Sequence, residues 1–286
     1  MPGMAQVLVL GSANADLVVS VPRRPAGGET VLGSDTVVLP GGKGANTAVA
    51  AARAGGRVAL LGAVGDDGNG ALLRRSLEGA GVDAALVAVS RRPTGAAYIA
   101  VTPDGENSIV VAPGANADVV AEAPWGRFAV LVCSLEVPVP VVEEAVRAAS
   151  AAGVRVVLNL SPVVGVAPDV LAALDPLVVN EHEAAELAPS FEGLLELGPR
   201  AVVVTLGARG AAVVTRSGVL EAPAPEVDVV DTTGAGDAFA GALAVRLAEG
   251  RELVDAVRFA VRVAAFSVTR AGAQPSYPTL AELGGP

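Results

Sequence analysis

The sequence predicts an α/β fold built on a central, mostly parallel sheet, and three observations carry that expectation. Short apolar runs rich in Val recur along the chain. Segments of helical length and pattern separate most of them. The composition is 52% hydrophobic but only 3% aromatic, so Val, Ala and Leu must build the core, as suits buried parallel strands under Ala-rich helices. A chain of 286 residues is long enough for one large domain with a sizeable core.

The first expected strand spans residues 6–11, and further Val-rich runs follow at 57–64, 128–134, 154–159, 176–180 and 200–205. Helices are expected at 43–55, 68–79, 138–151 and 168–173. In the third of these, Glu143 and Glu144 stand near the start and Gly153 lies just past the end, the usual start and stop signals. Two segments break the alternation. Residues 16–39 hold short β-prone pieces punctuated by Pro22, Pro25, Gly27 and Gly28. Residues 94–112 read as a hairpin, Ala96–Val101 and Ser108–Ala112, around Pro103-Asp104-Gly105. With no helix to cover them, the two are expected to pair into a small accessory sheet whose apolar face needs a substrate or a second subunit over it. The last third predicts strands at Val202–Thr205, Gly210–Thr215 and Val219–Ala222, a strand-like run Val227–Val230, and helices near 235–249 and 252–268.

Charge and rare residues exclude several functions. Thirty acidic against twenty basic residues, a net charge of −10, argue against nucleic acid and anionic membranes as partners. Cys133 is the only cysteine; its apolar run predicts an inert buried thiol and a reducing compartment. A single histidine, His182, leaves no serine–histidine triad or multi-histidine metal site, and is itself expected at the surface. No apolar run reaches the ~18–20 residues of a membrane span, and Met1–Leu10 lacks a secretion signal. The expectation is a soluble, cytoplasmic protein.

The strongest chemical feature is Asp231-Thr232-Thr233-Gly234-Ala235-Gly236-Asp237, at the start of a predicted helix. Small residues let backbone approach a ligand, and a helix start presents free N–H groups, so Gly234, Ala235 and Gly236 can form an anion hole for phosphate. Asp237 beside it is placed to accept a proton from an attacking hydroxyl. The helix N-terminus should keep it ionised and weakly basic, which phosphoryl transfer tolerates. A Gly-rich turn with an Asp near a helix start has the same pattern. Gly41-Gly42-Lys43-Gly44-Ala45-Asn46 opens another helix but is not a Walker A loop, because Val37 stands where that motif requires glycine. Lys43 is the only lysine, and Asn46 offers a donor and an acceptor to hydroxyls; an Arg-biased composition also explains a lone lysine. Asn14 and Asp16 after the first strand, and Glu136 after another, sit where open α/β sheets bind ligands, although such residues are often just turns. Asn180-Glu181-His182-Glu183 suits ordered water around Mg²⁺ and ATP phosphates, as a solvated helix start also would. Thr205-Leu206-Gly207-Ala208-Arg209-Gly210 has the glycines for a loop near a nucleotide, or for a simple hairpin. Gly11-Ser12-Ala13-Asn14 lacks the G-x-G-x-x-G spacing of a dinucleotide-dependent oxidoreductase.

Taken in order, these pieces resemble the ribokinase branch of the PfkB carbohydrate kinase family over nearly the whole chain. The resemblance runs through Asn14-Ala15-Asp16, Gly41 to Asn46, Gly65-Asp66-Asp67, Gly114-Ala115-Asn116, Leu135-Glu136, Asn159, Asn180 to Glu183, Asp231 to Asp237 and Gly272-Ala273-Gln274-Pro275-Ser276. It implies a three-layer sandwich forming one domain over 1–286, with a lid from about 14–40 and 94–112 that doubles as a homodimer contact. It implies ATP-dependent phosphorylation of D-ribose at O5. Asn14, Asp16, Gly42, Lys43, Asn46 and Glu136 would hold the sugar, with Asp237 as base. Asn180, Thr205, Leu206, Gly207, Ala208, Arg209, Gly210, Gly236 and Val261 would line the ATP site. Glu183 would act on Mg²⁺ through water, and Asp231, Thr233, Ser267, Arg270, Gly272 and Ser276 would bind K⁺, largely through carbonyls. Val261 departs from the polar or aromatic residue common there. Rival expectations are a kinase of the same family for another sugar or nucleoside, and a non-catalytic sensor on the same fold.

Overall fold

Alternating Val and Leu set the architecture. In the first strand Val7 and Val9 face one helical layer while Leu8 and Leu10 face the other, and a period of two with both sets buried marks a sheet covered on both sides. The computed structural model describes residues 6–284; residues 1–5 and 285–286 of the expected domain lie outside the described residues. Its strands, in chain order, are β1 (Val7–Leu10), β2 (Asn14–Ser20), β3 (Val37–Gly41), β4 (Val58–Gly65), β5 (Val87–Ser90), β6 (Gly95–Val101), β7 (Asn107–Ala112), β8 (Val130–Ser134), β9 (Arg155–Asn159), β10 (Leu174–Asn180), β11 (Val202–Thr205), β12 (Ala211–Thr215) and β13 (Gly218–Ala222). The helices are α1 (Lys43–Arg53), α2 (Gly68–Gly79), α3 (Val139–Ala151), α4 (Pro168–Ala173), α5 (Glu181–Leu187), α6 (Gly193–Glu196), α7 (Ala235–Ala248) and α8 (Leu253–Ser267).

Nine strands form the large sheet in the order β13-β12-β11-β10-β9-β8-β1-β4-β5. All neighbours are parallel except the antiparallel pairs β11–β12 and β12–β13. Helices α1, α2, α7 and α8 cover one face and α3 to α6 the other, giving three layers. The chain moves outward from β1 to β4 and β5, then returns to place β8 on the opposite side of β1. Strand order therefore reverses between β1 and β8, and the crevice at their carboxyl ends is where such sheets bind ligands.

The second sheet has four strands in the order β3-β2-β6-β7. It begins where β1 ends, so Asn14 and Asp16 hang at the crevice. Register puts Asp16 opposite Leu39 and Ala97, on a face shared with Val37, Ile109 and Val111, which are 53%, 51% and 49% exposed. The opposite face carries Val38, Tyr98 and Val110 at 42%, 54% and 69%. Both faces are apolar and open.

Two features depart from expectation. Val227–Val230 is not a strand: the sheet has already ended at β13, and the Val230 amide bonds the Val268 carbonyl at the end of α8 instead. Conversely β5, with only Val87 buried, is an edge strand that no hydrophobic alternation announces.

Candidate active site

Helix α7 owes its position to small residues. Asp237 to Leu247 are buried without a break, because the helix lies between α1 and α8 over the sheet. Alanines and Gly241 permit that depth: a Cβ on Gly241 would stand 2.6 Å from the Thr47 carbonyl oxygen and 2.8 Å from the Ala51 nitrogen. The starts of α1 and α7 are thereby clamped side by side. Across the join, Asn46 Nδ2 donates to Asp237 Oδ2 at 3.0 Å, and Gln274 Nε2 donates to Asn46 Oδ1 at 3.0 Å.

Burial governs the charges here. Asp237 is 6% exposed, and desolvation pushes its carboxyl up to about 6, with Glu136 adding to the rise and Lys43 and the Asn46 bond opposing it. The helix N-terminus alone would keep this group weakly basic. Removal from water outweighs that effect. Asp16 is pushed up to about 7, first by burial and then by Glu136 and Asp237. Glu136 is held by the Ser12 hydroxyl at 2.5 Å and the Lys43 amide at 3.1 Å, both on Oε2. Asn14 Oδ1 accepts from Asn116 Nδ2 at 2.7 Å, and Asn116 Oδ1 accepts from the Ala13 amide at 2.9 Å.

Two cavities meet at the head of α7. A polar one of about 170 Å³ is lined by Lys43, Asn159, Ser161, Asn180, Glu183, Thr205, Thr232 and Gly234 to Asp237. An apolar one of about 480 Å³ is lined by Thr205, Gly207, Ala208, Gly210, Ala224 to Val227, Val229, Phe239, Val261, Ala264, Ala265 and Val268. Thr205, Thr232, Ala235 and Gly236 border both. Gly234 caps α7 in the left-handed region at φ 74°, with the Tyr277 hydroxyl on its carbonyl oxygen at 3.2 Å; a Cβ there would lie 2.3 Å from that hydroxyl. The Ala235 amide bonds the Thr232 carbonyl oxygen at 3.2 Å, whereas those of Gly236 and Asp237 have no acceptor within the helix.

Most predicted site residues converge on this region. Gly42 and Lys43 lie at the start of α1 beside Glu136. Asn180 and Glu183 close a capping box on α5, with the Asn180 amide donating to Glu183 Oε2 at 2.7 Å, while both side the polar cavity. Leu206 and Arg209 do not line either cavity; Leu206 is buried and Arg209 pairs with Glu181 at the surface. His182 is exposed. Asp231 accepts from the Thr233 amide and hydroxyl at 2.9 and 2.6 Å, and from the Gly272 amide at 2.8 Å, which ties the loop before α7 to the one after α8. The Arg270 side chain turns away to Glu282 and Phe266, leaving its main chain at that loop. Ser267 and Ser276 are buried, each with its hydroxyl on a carbonyl three residues earlier.

Several participants have no role that the sequence assigns. Asn116, Asn159 and Gln274 stand in recognisable motifs, yet only folding shows what they touch. Ser12, Ser161, Thr232 and Tyr277 carry no spacing signal. The wall Ala224 to Val227 lies in the irregular stretch leading into Val227–Val230, where a strand was expected.

Comparison with known proteins agrees with this geometry. The model of the pfkB family carbohydrate kinases matches residues 4–280. A ribokinase of Bacillus subtilis is 38% identical over 289 residues, covering 98% of both chains. Among solved structures, a ribokinase of Thermotoga maritima superposes with a TM-score of 0.91 at 34% identity over 98% of each chain. An Arabidopsis thaliana ribokinase complexed with ribose and ATP gives 0.90 at 32% identity, over 98% of this chain and 97% of that one. A family model spanning nearly the whole chain, and relatives matched from end to end, place this protein in the pfkB family of carbohydrate kinases.

Proposed function

We propose that the protein is a ribokinase, transferring the γ-phosphoryl group of ATP to O5 of D-ribose. The observation that carries this reading is the buried Asp237 carboxylate at the head of α7, where a polar and an apolar cavity meet. The apolar cavity suits a purine and the polar one a chain of phosphates. The kinship with ribokinases, one of them complexed with ribose and ATP, selects the sugar.

In this reading Asn14, Asp16, Gly42, Lys43, Asn46 and Glu136 bind ribose hydroxyls in the crevice between β1 and β8. Asp237 Oδ2 is occupied by Asn46, so Oδ1 accepts the proton as the alcohol oxygen bonds to phosphorus and ADP departs. A carboxyl raised to about 6 is ionised at neutral pH yet more basic than a solvent-exposed aspartate. The amides of Gly236 and Asp237, with the adjoining Gly234–Ala235 peptide, receive the charge of the transferring group. Thr205, Gly207, Ala208, Gly210 and Val261 border the purine pocket, and Asn180 borders the phosphates. Leu206 and Arg209 shape that loop from outside.

Two cations fit the residues present. Glu183 faces the polar cavity with Oε1 uncommitted, which suits a water-mediated hold on Mg²⁺; bound with ATP, the ion supplies charge neutralisation. Asp231, whose partial burial is outweighed by the Thr233 and Gly272 bonds so that its carboxyl lies below the usual range, joins two loops whose carbonyls, with Thr233, Ser267, Arg270, Gly272 and Ser276, would form an oxygen-only donor set. Such a set suits K⁺.

A coupled ADP-release assay over D-ribose, deoxyribose, fructose and adenosine tests the proposal. Ribose is expected to give the highest kcat/KM. Turnover of fructose or adenosine far above ribose would overturn the substrate, and no turnover of any acceptor would overturn the kinase.

A further inference from the structure

The bond from Asn46 to Asp237 is the last link of a series, buried from Gln274 inward, that draws in two more elements. The Ser76 hydroxyl on α2 donates to Gln274 Oε1 at 2.6 Å. Gln274, in the 3-10 turn Gln274–Ser276, donates through Nε2 to Asn46 Oδ1 at 3.0 Å, and Asn46 Nδ2 donates to Asp237 Oδ2 at 3.0 Å. Gln274 and Asn46 are 4% and 6% exposed, so water is a poor substitute for either partner. A carboxamide has one donor end and one acceptor end, and each link points the same way, toward the carboxylate. An Asn46 side chain turned over would set its carbonyl oxygen against a charged Asp237. It would also bring its NH₂ against the NH₂ of Gln274. Gln274 therefore opposes that turned state from the far end.

We propose that Gln274 is a positioning residue for phosphoryl transfer: it holds Asn46 with its NH₂ on Asp237, keeping the base charged and its second oxygen aimed at the acceptor alcohol. This rests on the reading of Asp237 as the base of a sugar kinase. Ser76 supports Gln274 from behind.

Other groups also face Asp237. Lys43 on α1 favours its charged form, Glu136 beyond β8 opposes it, and Asp16 on β2 and Tyr277 after the turn are within electrostatic reach. A neutral substitution at Gln274 leaves the chemistry of all four intact and adds no charge, so a change in Asp237 titration in Gln274→Met reports the series itself.

Gln274→Met keeps the length of the side chain and removes its hydrogen bonds. Gln274→Glu reverses the polarity, because an ionised Glu can only accept; Asn46 must then present its NH₂ to the Glu and its oxygen to Asp237. With Gln274→Met, kcat for ribose should fall about tenfold with KM for ATP unchanged, because an unheld Asn46 no longer keeps its charge-assisted hydrogen bond on Asp237. The acid limb of kcat/KM should move up by about one pH unit in Gln274→Met, and further in Gln274→Glu, where the added like charge contributes as well. Ser76→Ala should shift it less, in the same direction. Carbon-13 NMR of the Asp237 carboxyl in substrate-free protein should show the same displacement. That measurement needs no turnover, so it separates failure of this proposal from failure of the kinase assignment. Folded Gln274→Met and Gln274→Glu proteins with wild-type kcat and wild-type Asp237 titration would overturn it. Should the Glu variant not fold, wild-type titration in both Gln274→Met and Ser76→Ala overturns it equally.

Discussion

Asp237 shows desolvation and local dipoles in competition. Its place in the first turn of α7 favours the anion, as do Lys43 and the Asn46 bond, yet burial raises the carboxyl to about 6. For catalysis the acid limb of kcat/KM for ribose is expected between about pH 6 and 7, where Asp237 and the sugar-facing Asp16 lose their protons together, read from initial rates at saturating ATP. Asp237→Asn should lower kcat by about 10²- to 10⁴-fold while ATP affinity, measured calorimetrically, changes little. Stability runs the opposite way. A carboxyl whose folded value lies above its unfolded value of 3.8 binds protons more tightly when folded, so ionisation costs stability progressively from pH 4 to pH 6 and fully above that. Asp237→Asn should therefore raise Tm by a few degrees at pH 8, an order-of-magnitude effect of about 1–3 kcal/mol, and the gain should vanish below pH 4. An unchanged Tm at pH 8 would mean that the carboxylate is better solvated than its burial indicates.

The elements that present these residues are held by close backbone contact. Gly241→Ala places a methyl against the main chain of α1, too near to be absorbed by a rotamer change. Separating α1 from α7 should cost about 1–3 kcal/mol, seen as a lower Tm, and should lower kcat because Asn46 retreats from Asp237. A variant that loses stability but keeps full kcat would show that the clamp is structural only. The loops joined by Asp231 lie at the start of α7 and the end of α8, so occupancy of a cation there bears on the α7 cap. Exchange of K⁺ for Na⁺ at constant ionic strength is expected to reduce activity, and a full rate in Na⁺ alone would remove the assignment. Most of these elements are legible in the sequence to within a few residues because Val-rich runs and Ala-rich helices differ in period. Val227–Val230 misleads, since Val227 and Val229 are exposed at the apolar cavity and Val230 bonds the end of α8 rather than a neighbouring strand. Strand β5 is silent, because an edge position needs little apolar alternation.

Across the whole molecule, two sheets divide the work. The large sheet is buried on both faces except at its edge strands β5 and β13, whereas the small one exposes Val37, Ile109 and Val111 beside the site and Tyr98 and Val110 behind it. Open apolar surface of this kind calls for cover; sugar and a second subunit, arranged as a closing lid, are the proposed cover. Tyr98→Asp, on the face away from Asp16, should shift sedimentation toward monomer. Ile99→Asp, on the Asp16 face, should raise KM for ribose. A wild-type protein that is monomeric at micromolar concentration would remove the dimer.

Composition and period were sufficient for the layered α/β fold, for the helix that begins near Asp237 and for a separate small sheet, because each depends on local pattern. The motifs Asn14–Asp16, Gly41–Asn46 and Asp231–Asp237 likewise stand in the chain as continuous strings. Contacts between distant segments do not. Ser12 on Glu136, Gln274 on Asn46, Tyr277 on Gly234 and the raised carboxyls of Asp16 and Asp237 exist only once β1, β8, α1 and α7 are packed together. Burial and hydrogen-bond direction are properties of surroundings, and no residue carries its surroundings in its own letter.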